Sequence, residues 1–319
     1  MATGSEGAKV IVETIGGIGP WSFATGARPS RQGRLVNVNA HWIVGVDGSE
    51  PSLGALRWSV QHAPTHDARL TAVNVFHVPA VMALFTAKRG LGVDELGLAA
   101  TAGHELDVAI EQVGGSVPIT PLVVEGLAAQ ELVDVATGAD ALIVGQTGSG
   151  ELRRHRLGSV ARYCATHSTV PVITIPEGWS PHPLGRVVVG FDGSDNAAAA
   201  LRWALAFAGP EVAVRVVCAM EVAPWLSARV TRQQFPEEVA NEEQFLHDAL
   251  DAVDPARRAE RMLVLDAPRH ALETAGRDAD LVVVGARGRG VIAAELLGSV
   301  STSLLHDLGS VVAVVPDST

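Results

Sequence analysis

The sequence predicts an α/β protein built from two tandem, doubly wound, five-stranded parallel sheets of Rossmann-like design, and three observations carry that expectation. Short, continuous apolar runs alternate with segments of helical periodicity in both halves of the chain, which is the pattern of parallel strands covered by helices on both faces. The halves also repeat each other. Ile43-Val44-Gly45-Val46-Asp47-Gly48-Ser49 reappears as Val188-Val189-Gly190-Phe191-Asp192-Gly193-Ser194, and Ala55-Leu56-Arg57-Trp58 as Ala200-Leu201-Arg202-Trp203, at one offset. Val170 to Pro176 answers Ser310 to Pro316 at an offset five residues shorter, so the second copy has lost residues in its middle while keeping period and order. That is a tandem duplication. The third observation is a glycine template present twice: Gly145, Gly148, then Gly158-Ser159 after nine residues, and Gly285, Gly288, then Gly298-Ser299 after nine residues.

The elements follow in order. Residues 1–40 are rich in glycine and lack a sustained period, so a flexible tail is expected, with 10–15 as a stray strand that has no counterpart in the second copy. Residues 42–46 form a first strand ended by Asp47-Gly48-Ser49, where Ser49 is placed to cap the next helix. That helix carries Leu53, Leu56 and Val60 at helical spacing, and its twin Leu201, Leu205 and Ala208. Strand two is expected at 70–78 and 212–219, followed by helices at 93–113 and 237–253. Strand three, 119–124 or 261–265, precedes a short helix around Leu132 or Leu272. Strand four, 141–144 or 281–284, delivers the glycine template. Helix four starts at Ser159 or Ser299, and strand five ends each copy at Pro176 or Pro316. The linker 177–184, with Pro181 and Pro183, is short and stiff, so the two copies are expected close together.

Composition limits what the chain does. Its 319 residues suit two domains of ordinary size. With 47% hydrophobic and only 4% aromatic residues, packing rests on Val, Ala and Leu. A formal net charge of −11 disfavours nucleic acid and anionic membrane faces as partners. No apolar run approaches membrane-spanning length and no leader pattern is read, so the cytoplasm is the expected compartment. The two cysteines, Cys164 and Cys218, lack metal-ligand spacing and read as buried packing residues.

On a doubly wound sheet a ligand sits at the carboxyl ends of the strands, near the reversal of strand order, where both Asp47 and the glycine template fall. A glycine-rich strand-to-helix turn points backbone N–H groups outward, and the helix start favours an anion. Taken singly, Asp-Gly-Ser is an ordinary turn and cap, and the glycines are as well explained by geometry. Their joint occurrence, twice, points to nucleotide phosphate.

These residues resemble the universal stress protein family, in its ATP-binding branch and tandem two-domain form. The likeness covers 41–178 and 185–316. It implies an adenine nucleotide alpha hydrolase-like fold and ATP, with Mg²⁺, as the ligand. Carried over by motif, Asp47 and Asp192 would face adenine and ribose, and Val78 and Ala219 the adenine edge through their backbones. Gly145, Gly148, Gly285 and Gly288 would admit the backbone to ribose and phosphates. Gly158, Ser159 and Val160, with Gly298, Ser299 and Val300, would hold the phosphates. The likeness also implies pairing of the two copies through their last strands, 170–175 against 311–315. A homodimer through a further interface and an unidentified protein partner are left open. Arg287 in the second template, against Gln146-Thr147 in the first, suggests a weaker first site.

Several enzyme classes are excluded. There is no Gly-x-x-x-x-Gly-Lys-[Ser/Thr] loop, and the only lysines are Lys9 and Lys88. No dinucleotide fingerprint follows the first strand, and no repeated His, Glu or Lys stands as a general base, so no catalytic residue and no metal-ligand set is assigned. The basic run Arg153, Arg154, His155, Arg156 in the first glycine loop reads as a solvated face or a phosphate neutraliser. The expectation is a regulatory ATP sensor in stress or dormancy adaptation, with at most slow hydrolysis. An adenine-nucleotide hydrolase or transferase and a nucleotide-independent scaffold remain as rivals.

Overall fold

The computed structural model describes the backbone of residues 11–13 and residues 40–78, 97–148, 157–221, 234–289 and 297–316. The first copy runs β2 (His41–Gly45), α1 (Glu50–His62), a 3-10 turn (Ala63–His66), β3 (Arg69–Phe76), α2 (Leu98–Val113), β4 (Ile119–Glu125), α3 (Ala128–Ala136), β5 (Ala141–Gly145), α4 (Ser159–His167) and β6 (Val172–Ile175). The second repeats it as β7 (Arg186–Gly190), α5 (Asp195–Ala208), β8 (Ala213–Met220), α6 (Pro236–Val253), β9 (Glu260–Leu265), α7 (Pro268–Gly276), β10 (Leu281–Gly285), α8 (Ser299–Asp307) and β11 (Val311–Val315). A short β1 (Ile11–Glu13) precedes both.

Within each copy every strand pair is parallel, in the order β6-β5-β2-β3-β4 and β11-β10-β7-β8-β9. The chain moves outward from β2 to β4 and then returns to the other side of β2 for β5. The reversal therefore lies between β2 and β5, and again between β7 and β10. Both sheet faces are covered, which is why these strands are apolar without alternation. In β5, Ala141 and Ile143 join the core under α1 and α2, while Leu142 and Val144 join the core under α3 and α4.

The two sheets are one. β6 pairs with β11 antiparallel, Val312 opposite Thr174, Ala313 opposite Ile173 and Val314 opposite Val172, and the Thr174 hydroxyl donates to the Val312 carbonyl at 3.2 Å. With β1 alongside β9, eleven strands form a continuous sheet. The pairing of last strands buries two edges that would otherwise template aggregation.

A shared core reinforces the seam. Trp58 of α1 and Phe207 of α5 stack 6.1 Å apart at 5°, Trp42 lies 5.8 Å from Trp58, His66 lies 4.2 Å from Phe207, and Trp203 lies 4.7 Å from Phe207. Trp42, Trp58 and His66 of the first copy thus meet Phe207 of the second across the seam. The linker is tied down as well. The Gln61 amide donates to the His182 carbonyl, and Asp280 accepts from the Gly185 and Arg186 N–H groups, each at 2.8 Å. Cys164 and Cys218 are buried free thiols, and burial pushes both up to about 12.

Candidate functional site

Each copy opens a cavity at the carboxyl ends of its strands, at the reversal of strand order. The second has a volume of about 730 Å³ and is lined by Asp192, Ala219, Gly285, Gly288, Gly298, Ser299 and Val300 among others. The first, of about 570 Å³, is lined by Asp47, Gly145, Gly148, Gly158, Ser159 and Val160 among others. Residues spread over more than a hundred positions of each copy therefore meet in one place, as the motif order suggests.

Val78 is the exception. It is buried beyond the end of β3 and does not line the first cavity. Backbone hydrogen bonds give the reason. Val46 N–H donates to the Val73 carbonyl at 2.8 Å, and Phe191 N–H to the Val217 carbonyl at 3.0 Å. Val73 and Val217 are thus equivalent, which makes Val75, not Val78, the counterpart of Ala219, and Val75 lines the first cavity as Ala219 lines the second. Apolar runs mark a strand without marking its register.

The two aspartates have divided duties. Asp192 Oδ1 accepts from the Ser194 N–H at 2.9 Å and hydroxyl at 2.6 Å, while Oδ2 accepts from the Arg289 N–H at 2.9 Å. Asp47 Oδ1 likewise accepts from the Ser49 N–H at 3.0 Å and hydroxyl at 2.5 Å. One carboxylate oxygen thus builds the helix start and the other faces the glycine loop.

The glycines divide too. A Cβ on Gly145 would stand 2.7 Å from the Pro51 carbonyl carbon, and one on Gly285 2.8 Å from that of Asn196. These two are demanded by the close passage of the first helix of each copy, whatever the cavity holds. A Cβ on Gly148 or Gly288 would meet the aspartate Oδ2 at 2.9 or 2.5 Å. Gly158 and Gly298 close the loop, donating N–H to the carbonyls of Gln146 and Ala286 at 2.8 Å each. Their own Cβ positions are milder, 3.1 Å from the Gln146 oxygen and 3.3 Å from the Ala286 oxygen.

Gly158 and Gly298 are also the N-cap residues of α4 and α8, and neither helix has a side-chain cap. The exposed Ser159 and Ser299 occupy the first helical position. The start of each helix therefore offers N–H groups and a hydroxyl to an anion in the cavity. Among the described residues no group of three or more His, Cys, Asp or Glu is arranged to hold a metal. The basic run 153–156 lies outside the described residues.

Sequence reasoning missed the far wall. Phe235, Glu238, Val239 and Glu242 line the second cavity from α6 and the residue before it, and Arg289 lines it from the glycine loop. Arg289 was legible as a second arginine in Ala286-Arg287-Gly288-Arg289, but its partners belong to a helix whose placement only folding decides.

A model of the "Universal stress protein family" matches residues 41–176 and 183–316. The universal stress protein Rv2623 of Mycobacterium tuberculosis H37Rv is 32% identical over 278 residues, covering 82% of this chain and 91% of the relative. The universal stress protein Rv2005c of the same strain is 29% identical over 278 residues, covering 83% and 92%. Among solved structures, a functionally unknown protein of Pseudomonas aeruginosa PAO1 superposes with a TM-score of 0.60 at 13% identity, covering 89% of this chain and 95% of that one. A universal stress protein of Archaeoglobus fulgidus gives 0.54 at 17%, covering 87% and 98%.

Proposed function

This chain belongs to the universal stress protein family, and from that premise we propose that it is an ATP-binding regulatory protein that senses adenine nucleotide in the cytoplasm under stress or dormancy. One observation carries the reading: in both copies the aspartate after the first strand, the glycine loop and an open helix start line a single cavity at the strand-order reversal. The residues suit the ligand. Adenine would lie against the apolar ends of the second strands, at Val75 or Ala219, and against Leu132 or Leu272. The aspartates' Oδ2 atoms would receive ribose hydroxyls, and the starts of α4 and α8 the phosphates. Mg²⁺ would arrive on the phosphates, with the Ser159 and Ser299 hydroxyls as further ligands, and its role there is to neutralise charge. With no assigned general base, hydrolysis would be slow at most.

The test is thermal unfolding with and without Mg-ATP on wild type, Gly158→Ala and Gly298→Ala, with nucleotide released from denatured protein identified. At about a hundred times the dissociation constant, a ligand of the folded state alone adds roughly 2.7 kcal/mol. A midpoint shift lost in part in each variant supports two nucleotide sites. No shift and no copurified nucleotide would sink the reading and leave a scaffold.

A further inference from the structure

The second cavity holds a charged contact between its glycine loop and α6. The Arg289 N–H is pinned to Asp192 Oδ2 at 2.9 Å, and its guanidinium crosses to α6. There Nη1 lies 2.6 Å from Glu242 Oε1, and Cζ lies 4.4 Å from the centroid of the Phe245 ring. The turn beneath is shaped for this stack. Gly193 has φ +81°, and a Cβ there would stand 2.5 Å from Phe245 Cε1 and 2.7 Å from Arg289 Nη2. Both Arg289 and Glu242 line the cavity. In the first copy the residue after Gly148 is Ser149, and the place of Glu242, counted back from the helix ends Val253 and Val113, is taken by Ala102.

We infer that Arg289 is a specificity-determining residue by which the second cavity selects nucleotides for their phosphate charge, through exchange of Glu242 for a ligand phosphate. This rests on the nucleotide-binding reading of the same cavity. The chemistry favours exchange. The ion pair is partly exposed, with side-chain exposures of 41% and 39%, and such pairs are weak in water. A phosphate group bears more charge than a carboxylate and accepts the guanidinium fork in two bonds. Stacking on Phe245 keeps the guanidinium plane oriented while its partner changes. Glu242 serves as the resting partner, and after exchange its carboxylate stands beside the phosphates and repels them. Removing that charge therefore tightens polyphosphate binding and leaves an uncharged nucleoside unaffected.

The experiment is calorimetric titration of the full chain with Mg-ATP and, separately, adenosine, on wild type, Glu242→Gln, Arg289→Ala and the double variant. Glu242→Gln should tighten Mg-ATP at one class of site by roughly three- to tenfold and leave adenosine unchanged, as expected for one weak charge contact. Arg289→Ala should weaken Mg-ATP at that class by a similar factor, and in the double variant the gain from Glu242→Gln should shrink as the two effects couple. Unchanged Mg-ATP affinity in Glu242→Gln, or equal changes for Mg-ATP and adenosine, overturns the exchange while nucleotide binding stands. Failure of wild type to bind either ligand overturns the nucleotide reading, and the exchange with it.

Discussion

Gly285 and Gly298 belong to one motif, yet the atoms around them assign them different work. An alanine at 285 would drive its methyl to 2.8 Å from backbone of α5, where nothing flexible can yield. Gly285→Ala should therefore lose about 1–3 kcal/mol of stability without any ligand, measured by urea unfolding of the nucleotide-free protein. Gly298→Ala, with its nearest contact at 3.3 Å, should lose less while still blunting stabilisation by Mg-ATP. If both variants are equally destabilised without ligand, this division of duties is wrong. The cysteines give a second residue-scale expectation. With both thiols buried and pushed up to about 12, neither should be alkylated by iodoacetamide at neutral pH while the protein is folded. Mass spectrometry of the treated native protein reads this directly.

The first helices of the two copies start alike, and their caps are side chains. Ser49 and Ser194 accept from the N–H groups of Ser52 and Ala197 at 3.4 and 3.2 Å, and each serine hydroxyl in turn donates to the preceding aspartate. These helices spend their N-termini on their own fold. At α4 and α8 the cap is glycine, and the helix start stays open to the cavity. Ser194→Ala should cost about 1 kcal/mol of stability, and it should also loosen Asp192, whose Oδ1 loses its shortest partner. Urea unfolding tests the first effect. An unchanged midpoint would mean that the cap contributes nothing.

At the scale of the molecule the two copies share a sheet and a core, so they should unfold together. Tryptophan fluorescence and far-ultraviolet circular dichroism should report one coincident transition, and separate midpoints would contradict the shared seam. The seam also sets a pH dependence. Burial lowers the imidazoles of His62 and His66 from 6.5 to about 4. His66 and His182 lower His62 further, and Asp280 partly opposes them. Both rings stay neutral in the folded protein, whereas the unfolded chain takes up protons as pH falls through 6.5. Stability is therefore full above about 6.5 and is lost as pH falls toward 4, by up to roughly 1.4 kcal/mol per pH unit for each histidine. Urea midpoints at pH 7.5, 5.5 and 4.5 check this, and His66→Phe should flatten the slope.

The sequence by itself determined the duplication, the order of strands and helices, the glycine loops and the serine caps, because these depend on local periodicity and on residues with few conformational alternatives. It also placed Asp47 and Asp192 beside their loops, since strand order in a doubly wound sheet brings those turns together. Tertiary structure alone decided the rest. Strand-two equivalence moved from Val78 to Val75 because register is set by hydrogen bonds to the neighbouring strand, which an unbroken apolar run does not encode. Gly145 and Gly285 proved to make room for a helix because such crowding comes from residues about ninety positions away in the chain. The Arg289–Glu242 contact arose in the same way, from a helix carried across the cavity mouth. Long-range packing chooses among contacts that local chemistry leaves equally available.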